Sequence, residues 1–166
     1  MKSRSTVLNQ AQIIQKTERI AFEILENTFE EDKIYLGGIA GNGYVFAERL
    51  VSELKKHSTQ EIVLFEIKVN KEAPLADQIT FSIETASLEN ASVIVVDDVI
   101  NSGRTLIYAV RELLGINLRA LKVATLVNRT HRRFPIRADF VGLHISTTLQ
   151  DNILCEFGDT EVAYLA

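Results

Sequence analysis

The sequence predicts an α/β fold in which a central, mostly parallel sheet is flanked by helices. Short apolar segments alternate along the chain with longer segments of helical periodicity, and nearly all of the short ones are apolar at every position. Strands that are apolar on both faces are typical of parallel sheets covered by helices on both sides. The length of 166 residues suits one domain, so we predict a single domain over residues 1–166.

The composition excludes several classes of protein. Hydrophobic residues make up 46% of the chain and charged residues 24%, which excludes a disordered or low-complexity protein. The net charge of -4 excludes a surface that is basic throughout, while a local basic patch stays compatible with it. The polar start, Met1 to Thr6, has no apolar run typical of a signal peptide, and no stretch is apolar enough for a membrane span. We therefore expect a cytoplasmic protein with no membrane partner.

The first half of the chain predicts two helices and two or three strands. Asn9 is the expected N-cap of a helix that runs to about Thr28, with Gln12 as its capping-box partner. The next segments are a strand over 34–39, a helix over about 44–56 and a strand over 61–69. Residues 70–90 contain a proline, polar residues and one alternating stretch, which indicates a flexible loop with a short strand.

The second half continues the alternation of strands and helices. The strongest strand signal runs from Ser92 to Val96, and a helix is predicted over about 104–114 with Gly115 at its C-terminal end. The remaining predicted strands cover residues 121–127 and 140–143. Ligands of parallel sheets bind beyond the carboxyl ends of the strands. The places to look for a site are therefore those after Ile39, Val96 and Val127.

The segment after Val96 has the clearest chemistry. Residues 97–105 read Asp-Asp-Val-Ile-Asn-Ser-Gly-Arg-Thr and lead into a helix. Backbone N–H groups at a helix N-terminus, together with the hydroxyls of Ser102 and Thr105, suit a phosphate monoester. The carboxylates of Asp97 and Asp98 suit the hydroxyls of a ribose and a hydrated Mg²⁺. The pattern thus predicts a ribose 5-phosphate pocket, the alternative being a structural strand-to-helix turn.

This segment resembles the phosphoribosyl pyrophosphate (PRPP) signature of type I phosphoribosyltransferases. Residues 126–142, Leu-Val-Asn-Arg-Thr-His-Arg-Arg-Phe-Pro-Ile-Arg-Ala-Asp-Phe-Val-Gly, are similar to the bifunctional pyrimidine operon regulator and uracil phosphoribosyltransferase family, and residues 19–26 also fit that family. The resemblance implies a type I phosphoribosyltransferase fold with a small hood. It further implies transfer of phosphoribose from PRPP to uracil, giving UMP and pyrophosphate, with Mg²⁺ on the diphosphate. We also expect a homo-oligomer, a dimer or larger.

The resemblance implies a role for each group of residues. The catalytic pair that holds the ribose hydroxyls, and contacts the metal indirectly, would be Asp97 and Asp98. The residues that would hold the phosphoribose with this pair are Asn101, Ser102, Gly103, Arg104 and Thr105. The residues facing the base would be Asn128 and Arg129, because they follow the next strand along the chain.

The segment after Ile39 departs from the family pattern. It stands where the pyrophosphate loop belongs, a loop that resembles Gly-Ile-Lys-Thr-Arg-Gly in the family. The positions of this loop are here occupied by Ala40, Gly41, Asn42 and Gly43. A nest of backbone N–H groups still suits an anion, but the cationic side chains are gone. Either Lys68 or Lys71 would have to substitute, and the alternative is a purely structural turn.

A cluster of basic residues follows the predicted base-binding pair. Its members are His131, Arg132, Arg133 and Arg137. In the family that the sequence resembles, regulatory members bind RNA through a basic face, so these residues are candidates for RNA binding. Glu18 and Phe22 replace the Thr and His found on the first helix of that family, and the alternative is an ordinary solvated loop. A second hypothesis is therefore a weak or inactive transferase that senses nucleotide and binds RNA.

Two further residue types bear on the chemistry. Cys155 is the single cysteine of the chain, and we expect it to be a buried side chain and not a nucleophile. His144 lies near the predicted base site, but no second ligand stands at a spacing typical of metal sites. We therefore predict no transition metal bound by side chains of the protein.

Overall fold

A computed structural model describes residues 4–166, and the first three residues of the polar start lie outside it. The helices are α1 (Gln10–Thr28), α2 (Asn42–His57) and α3 (Arg104–Leu113). The strands are β1 (Ser5–Leu8), β2 (Lys33–Ile39), β3 (Glu61–Lys68), β4 (Thr80–Phe81), β5 (Ser92–Ile100), β6 (Ala120–Arg129), β7 (Phe140–Ile145), β8 (Ile153–Glu156) and β9 (Val162–Leu165). One turn of 3-10 helix covers Thr85–Leu88.

The strands form two sheets in the described part of the chain. The central sheet has six strands in the order β4-β3-β2-β5-β6-β7, and all of its pairs are parallel except that of β3 with β4. The second sheet is antiparallel, has the order β1-β9-β8, and joins the two ends of the chain. We call this second sheet the hood. The predicted α/β fold with a mostly parallel sheet and a small hood is confirmed.

Helices cover both faces of the central sheet. Alternate residues of β5 belong to different apolar clusters: Ile94 and Val96 pack with α1 and α2, whereas Val93 and Val95 pack with α3. All nine residues of β5 are buried, as expected for a central strand with helices on both sides. Burial of these apolar side chains is the main force that holds the helices on the sheet.

The predicted start of α1 is confirmed in detail. The Asn9 side chain accepts a hydrogen bond from the N–H of Gln12, and the Gln12 side chain accepts one from the N–H of Asn9, both at 2.9 Å. This reciprocal pair satisfies two N–H groups that have no partner within the helix. The buried residues of α1 recur at helical spacing and are Ile13, Thr17, Ile20, Ala21, Ile24 and Thr28.

The structure differs from the sequence-based prediction in three places. Strand β5 continues to Ile100, four residues beyond the predicted end, because parallel pairing with β6 extends to Ile100 and Asn128. Helix α2 begins at Asn42, earlier than predicted. The resemblance implies a hood, but the sequence does not locate its strands, since each has only four residues and β1 pairs with β9 from the opposite end of the chain.

No helix within residues 4–166 has both the length and the apolar character needed to cross a membrane.

Close packing of β7 against β6 yields a prediction about stability. A Cβ added at Gly142 would overlap the backbone carbonyl oxygen of Leu126 and lie 3.2 Å from its Cδ1 atom. Because backbone in a parallel sheet cannot move aside cheaply, Gly142→Ala should lower the free energy of unfolding by about 1–3 kcal/mol. Gly158→Ala is the matched control, since nothing lies within 4 Å of a Cβ added there. Urea denaturation of both variants checks the prediction, and equal stabilities would contradict it.

Candidate active site

A cavity of about 290 Å³ lies at the carboxyl ends of β2 and β5, with the hood forming one wall. Its lining consists of Asn42, Lys71, residues 97–106 and residues 153–155. Two of the three strand ends at which the sequence predicts a site therefore meet at one cavity. Residues 153–155 are a part of the lining that the sequence did not predict. The sequence gives little indication of these residues, because the four-residue strand that contains them is too short to show a periodic pattern of apolar residues.

Asp97 and Asp98 form a buried acidic pair at the end of β5. Their exposed fractions are 5% and 8%, and the Asp98 N–H donates a hydrogen bond of 3.0 Å to Asp97 Oδ1. Burial, followed by the nearby charge of Asp98, raises the pKa of Asp97 well above its usual range. The positive charge of Lys71 lowers this pKa and so offsets part of the increase. One carboxyl of the pair is thus held in its protonated form more readily than a carboxyl in water.

Gly43 allows the acidic pair to lie against the start of α2. A Cβ at this position would be 2.7 Å from Asp97 Oδ1 and 3.0 Å from the Ile39 Cβ atom. Any larger side chain would therefore push the carboxylate away from the helix. The sequence predicts Gly43 as part of a pyrophosphate loop, and the structure shows that it also makes room for Asp97.

The segment after β5 has the geometry of an anion site. Gly103 is the N-cap of α3 and has a left-handed conformation, with φ of 82°, which glycine adopts at little cost. Ser102 Oγ accepts a hydrogen bond of 3.3 Å from the Arg104 N–H. The other N–H groups of the first turn of α3 have no partner within a helix, so they are available to an anion. Thr105 lies in that same first turn.

A second loop supports the anion site from behind. The carbonyl oxygen of Ser102 accepts hydrogen bonds of 3.1 Å from the N–H groups of Arg133 and Phe134. A Cβ added at Gly103 would lie 2.6 Å from Ile136 Cγ2, so this loop packs directly on the turn. The basic segment after β6 therefore holds the turn at Ser102 and Gly103 in place.

The loop after β2 is a tight turn into α2. Gly41 has φ of 91°, a conformation that favours glycine, and Asn42 is already the first residue of the helix. The Ala40 N–H donates to the carbonyl oxygen of Ile67, so it is used within the sheet. The Asn42 side chain donates a hydrogen bond of 2.7 Å to the carbonyl oxygen of Cys155 in the hood. This loop presents its side-chain amide to the hood.

The structure distinguishes between the two candidate lysines. Lys71 lines the cavity, whereas the Nζ atom of Lys68 lies 3.9 Å from Glu66 Oε1 and Lys68 is absent from the lining formed by residues 4–166. Asn70 orders the turn that carries Lys71. Its Oδ1 atom accepts from the N–H groups of residues 72 and 73, at 3.2 and 3.0 Å, and its Nδ2 atom donates to Asp77 at 2.7 Å.

Asn128 and Arg129 lie at the end of β6, but the described lining of the cavity does not include either of them. Asn128 is within hydrogen-bond distance of His144 Nδ1, at 3.0 Å, and accepts from Arg132 at 2.6 Å. The Arg129 guanidinium donates to the carbonyl oxygens of His131 and Asp151. Both side chains are therefore bonded to their own chain, and contact with a base stays a prediction.

The basic cluster divides into an outward and an inward part. His131, Arg133 and Arg137 are exposed. Arg132 is half-buried, because its guanidinium donates to Asn128 Oδ1 and to the carbonyl oxygen of Ile136. Burial lowers the pKa of Arg132. Arg132 is thus bonded within the loop, whereas the other three candidates face solvent, and RNA binding by the four residues stays a prediction.

Cys155 is buried, as the sequence predicts, with an exposed fraction of 4%. Burial, together with the nearby charges of Asp98 and Asp97, raises the pKa of its thiol far above the usual range. A thiol held in the protonated form is a poor nucleophile, so the arrangement disfavours covalent catalysis by Cys155.

The carboxylates fit a metal only as part of a substrate complex. Among residues 4–166, no three His, Cys, Asp or Glu side chains lie close enough together to hold a metal ion. Two adjacent carboxylates on a cavity wall suit the water ligands of a hydrated Mg²⁺ whose other ligands come from a diphosphate. The residues present therefore fit Mg²⁺ bound indirectly, through Asp97 and Asp98.

Comparison with known proteins gives consistent matches. A family model for the phosphoribosyl transferase domain matches residues 3–155. The Bifunctional protein PyrR of Pediococcus pentosaceus is 33% identical over 159 residues, which cover 89% of this chain and 90% of the relative. The hypoxanthine phosphoribosyltransferase of Trypanosoma cruzi has a similar fold, with a TM-score of 0.76 at 17% identity over 96% of this chain and 95% of that one. A hypoxanthine-guanine phosphoribosyltransferase of Bacillus anthracis has a TM-score of 0.72 at 23% identity, covering 87% and 84%.

The raised pKa of Asp97 leads to a prediction about stability and pH. Since its folded pKa is raised above its ordinary value of 3.8, the folded state binds this proton more tightly than the unfolded state. The stability that the proton contributes is fully present below that ordinary value and is lost as the pH rises through the folded pKa. Asp97→Asn, which stays neutral, should therefore be more stable at pH 8 than the unmodified protein, by about 1–3 kcal/mol.

Urea denaturation between pH 4 and pH 8 measures this difference. The control is Asp159→Asn, which removes the same charge from an exposed position. We expect this control to follow the pH dependence of the unmodified protein. Parallel pH profiles for Asp97→Asn and the unmodified protein would show that Asp97 is not held protonated.

Proposed function

The chain belongs to the phosphoribosyl transferase domain family, and from this premise we propose that it transfers phosphoribose from PRPP to uracil. The products would be UMP and pyrophosphate. One observation carries the proposal: the buried carboxylates of Asp97 and Asp98 and the anion site of residues 101–105 line a single cavity. A ribose 5-phosphate needs both features at adjacent positions. The choice of uracil is supported by the resemblance of residues 126–142 to uracil-using members of the family.

The proposed binding mode assigns one part of the substrate to each part of the cavity. The 5-phosphate accepts hydrogen bonds from the N–H groups at the start of α3 and from the hydroxyls of Ser102 and Thr105. The ribose hydroxyls bond to Asp97 and Asp98. Asp97, whose pKa is raised, donates to one hydroxyl in its protonated form, while a side-chain oxygen of Asp98 accepts from another. The two carboxyl groups would thus distinguish a ribose from a sugar that lacks a vicinal diol.

The proposed reaction breaks the bond between ribose C1 and the pyrophosphate oxygen, whose electron pair leaves with pyrophosphate, and forms a bond from C1 to N1 of uracil. The proton of N1 is taken up by the released pyrophosphate. Positive charge develops on the ribose in the transition state. Asp98 lies where its negative charge would stabilise that ribose. Residues 153–155 of the hood form one wall of the cavity. In the proposed complex this wall limits the access of water, which would otherwise compete with uracil. When bound to the diphosphate, Mg²⁺ supplies positive charge that stabilises the leaving group.

Lys71 is the proposed cation for the leaving pyrophosphate. It lines the cavity, and its positive charge lowers the pKa of Asp97. The residues at the pyrophosphate loop itself, from Ala40 to Gly43, bring no charged side chain. A lysine contacts phosphate as a point charge and not through a bidentate fork, so the proposed transferase is expected to be slow.

An enzyme assay tests the proposed function. The protein is incubated with PRPP, Mg²⁺ and one of uracil, hypoxanthine or guanine, and nucleotide products are separated by chromatography. Formation of UMP, dependent on Mg²⁺ and lost with Asp98→Asn, is the expected result. Formation of a purine nucleotide alone would overturn the choice of uracil, and no product from any base would overturn the enzyme proposal.

A second candidate function is regulation through RNA. It is favoured by the exposure of Arg133 and Arg137, which line an open depression of about 560 Å³ together with Phe134 and Pro135. Exposed guanidinium groups beside an aromatic ring suit the phosphates and bases of single-stranded RNA. Because this loop also supports the anion site through Ser102, nucleotide binding and RNA binding would be coupled.

We also propose that the protein is cytoplasmic and self-associates as a homo-oligomer. Self-association is supported by exposed apolar side chains along and just after α1, namely Ile14, Phe22 and Phe29.

The role of Lys71 yields a kinetic prediction. Lys71→Ala removes one charged contact with the leaving group and should lower kcat/KM for PRPP about 10- to 100-fold. Lys71→Arg should retain most of the activity, because it keeps the charge. Lys68→Ala is the matched control and should stay within about twofold of the unmodified protein. Steady-state kinetics at varied PRPP measure all three variants. A larger loss of kcat/KM for Lys68→Ala than for Lys71→Ala would show that Lys68, and not Lys71, contacts the leaving group.

The RNA proposal yields a prediction about salt dependence. Combined replacement of Arg133 and Arg137 by Ala should weaken binding of a pyrimidine-operon leader RNA and reduce the slope of log K against log salt by about 1–2. Arg111→Ala, an exposed arginine on α3, is the control and should leave the slope unchanged. Filter binding from 50 to 200 mM salt, with and without UMP, gives both quantities. No binding of the RNA by the unmodified protein at low salt would exclude this candidate function.

A further inference from the structure

One segment of the hood receives a side chain from each of the three strand ends. Asn101, after β5, donates from Nδ2 to the Ile153 carbonyl oxygen at 3.1 Å and accepts the Ile153 N–H at Oδ1 at 3.0 Å. Asn42, after β2, donates to the carbonyl oxygen of Cys155 at 2.7 Å. Arg129, at the end of β6, donates to the carbonyl oxygen of Asp151. These contacts join the central sheet to residues 151–155.

The contacts fall on the free edge of the hood. Strand β8 lies at one end of the order β1-β9-β8, so only one of its edges is paired. Asn152 and Ala166 exchange two hydrogen bonds, at 3.2 and 2.9 Å, across the paired edge. Because antiparallel pairs alternate, the N–H and C=O groups of Ile153 and Cys155 then point to the free edge. The side chains from the central sheet satisfy backbone groups that would otherwise be left unpaired there.

We propose that Asn42, Asn101 and Arg129 are positioning residues that hold the hood over the cavity and thereby set the affinity for the base. We call these three side chains the hood latch. The role in base affinity rests on the proposed function, whereas the contacts that form the latch do not. It gives the three residues a different role from the one that sequence resemblance implies, which is direct contact with pyrophosphate, phosphoribose and base.

The bonding of Asn101 is the strongest argument for the latch. Its side-chain carbonyl and one N–H already pair with both backbone groups of Ile153, as a neighbouring strand would. To bind a phosphate through the same groups, Asn101 would have to release the hood. Ser102, Gly103, Thr105 and the N–H groups of α3 supply an anion site without Asn101.

The latch acts on the wall of the cavity where a base would lie. If a phosphate occupies residues 101–105, a ribose Asp97 and Asp98, and a pyrophosphate the space beside Asn42 and Lys71, the lining residues that remain outside the segment 97–106 are 153–155 of β8. We therefore assign the base to β8. If β8 moves away, the base loses its packing surface, whereas the phosphate and ribose contacts stay on the central sheet. Each hydrogen bond of ordinary strength corresponds to about a fivefold change in an equilibrium, so loss of the Asn101 pair should weaken base binding about 10- to 30-fold.

Removal of the latch is compatible with folding. Leu8, Ile153, Cys155 and Ala163 of the hood are buried in the same apolar cluster as α1 and α2. This packing stays when a polar contact is removed. The variant Asn101→Ala is therefore expected to fold, with a hood that opens more often.

The first test is amide hydrogen exchange of Asn101→Ala measured by NMR. The Ile153 N–H loses its acceptor and should exchange at least tenfold faster. The Asn152 N–H donates to the carbonyl oxygen of Ala166 on the paired side of the segment, and its exchange rate should change less than about threefold. Ser102→Ala alters the same loop without touching the hood and should leave the Ile153 rate unchanged. Unchanged exchange at Ile153 in Asn101→Ala, or equal acceleration at both amides, would overturn the latch.

The second test separates the base from the phosphoribose by calorimetry with UMP and ribose 5-phosphate as probes. Asn101→Ala should weaken UMP binding about 10-fold or more and change ribose 5-phosphate binding less than about twofold. Ser102→Ala should weaken both probes by similar factors. Equal weakening of both probes by Asn101→Ala would show that Asn101 contacts the phosphoribose, against the proposal. If the unmodified protein binds neither probe, the proposed function fails together with the role in base affinity, while the exchange rates still decide whether the latch exists.

Discussion

Burial of two adjacent carboxyl groups at the end of β5 is the constraint on which the rest of the site depends. Moving an ionised carboxylate out of water is costly unless a proton, a cation or hydrogen bonds compensate. The chain supplies all three: the pKa of Asp97 is raised, the charge of Lys71 acts on Asp97, and the Asp98 N–H donates to it. Gly43 then has to be glycine, because Asp97 fills the space of a side chain. A ribose that bonds to the pair would supply hydroxyl groups in place of water.

The hood supplies one wall of the cavity, and the central sheet and its loops supply the rest. A parallel sheet presents its functional side chains at the carboxyl ends of its strands. This end of the sheet is open to solvent unless another element covers it. Here β1 and β8 both pair with β9, so that the two ends of the chain form one sheet. Residues 153–155 of β8 then form part of the wall of the cavity at the carboxyl ends of the central strands. The hood is joined to the rest of the fold by an apolar cluster that includes Ile153 and Cys155, and also by polar contacts along β8. The polar contacts open and close more easily than the apolar cluster. Such an arrangement suits a site that has to admit a substrate and release a product.

The sequence predicts well those features that depend on local pattern. The capping box of α1 combines residue types at fixed short spacing, and the structure has it as predicted. The segment from Asp97 to Thr105 leads into a helix as predicted, although β5 extends through its first four residues, and its role in binding phosphoribose stays a prediction. The hood strands escape prediction because four residues have little periodicity and their partners lie at opposite ends of the chain. The choice of Lys71 over Lys68 is likewise a matter of tertiary packing. An asparagine amide pairs equally well with a phosphate or with a strand edge, so residue type alone does not decide the role of Asn42 or Asn101.

The most direct measurement is a crystal structure of the protein with UMP. We expect the phosphate at the N-terminus of α3, the ribose hydroxyls on Asp97 and Asp98, and the base against β8, with the Asn101–Ile153 hydrogen bonds retained. These positions would make the buried carboxyl pair the centre of a phosphoribose site that the hood closes. A nucleotide bound elsewhere, or a phosphate that takes the Asn101 amide away from Ile153, would contradict this view of the molecule.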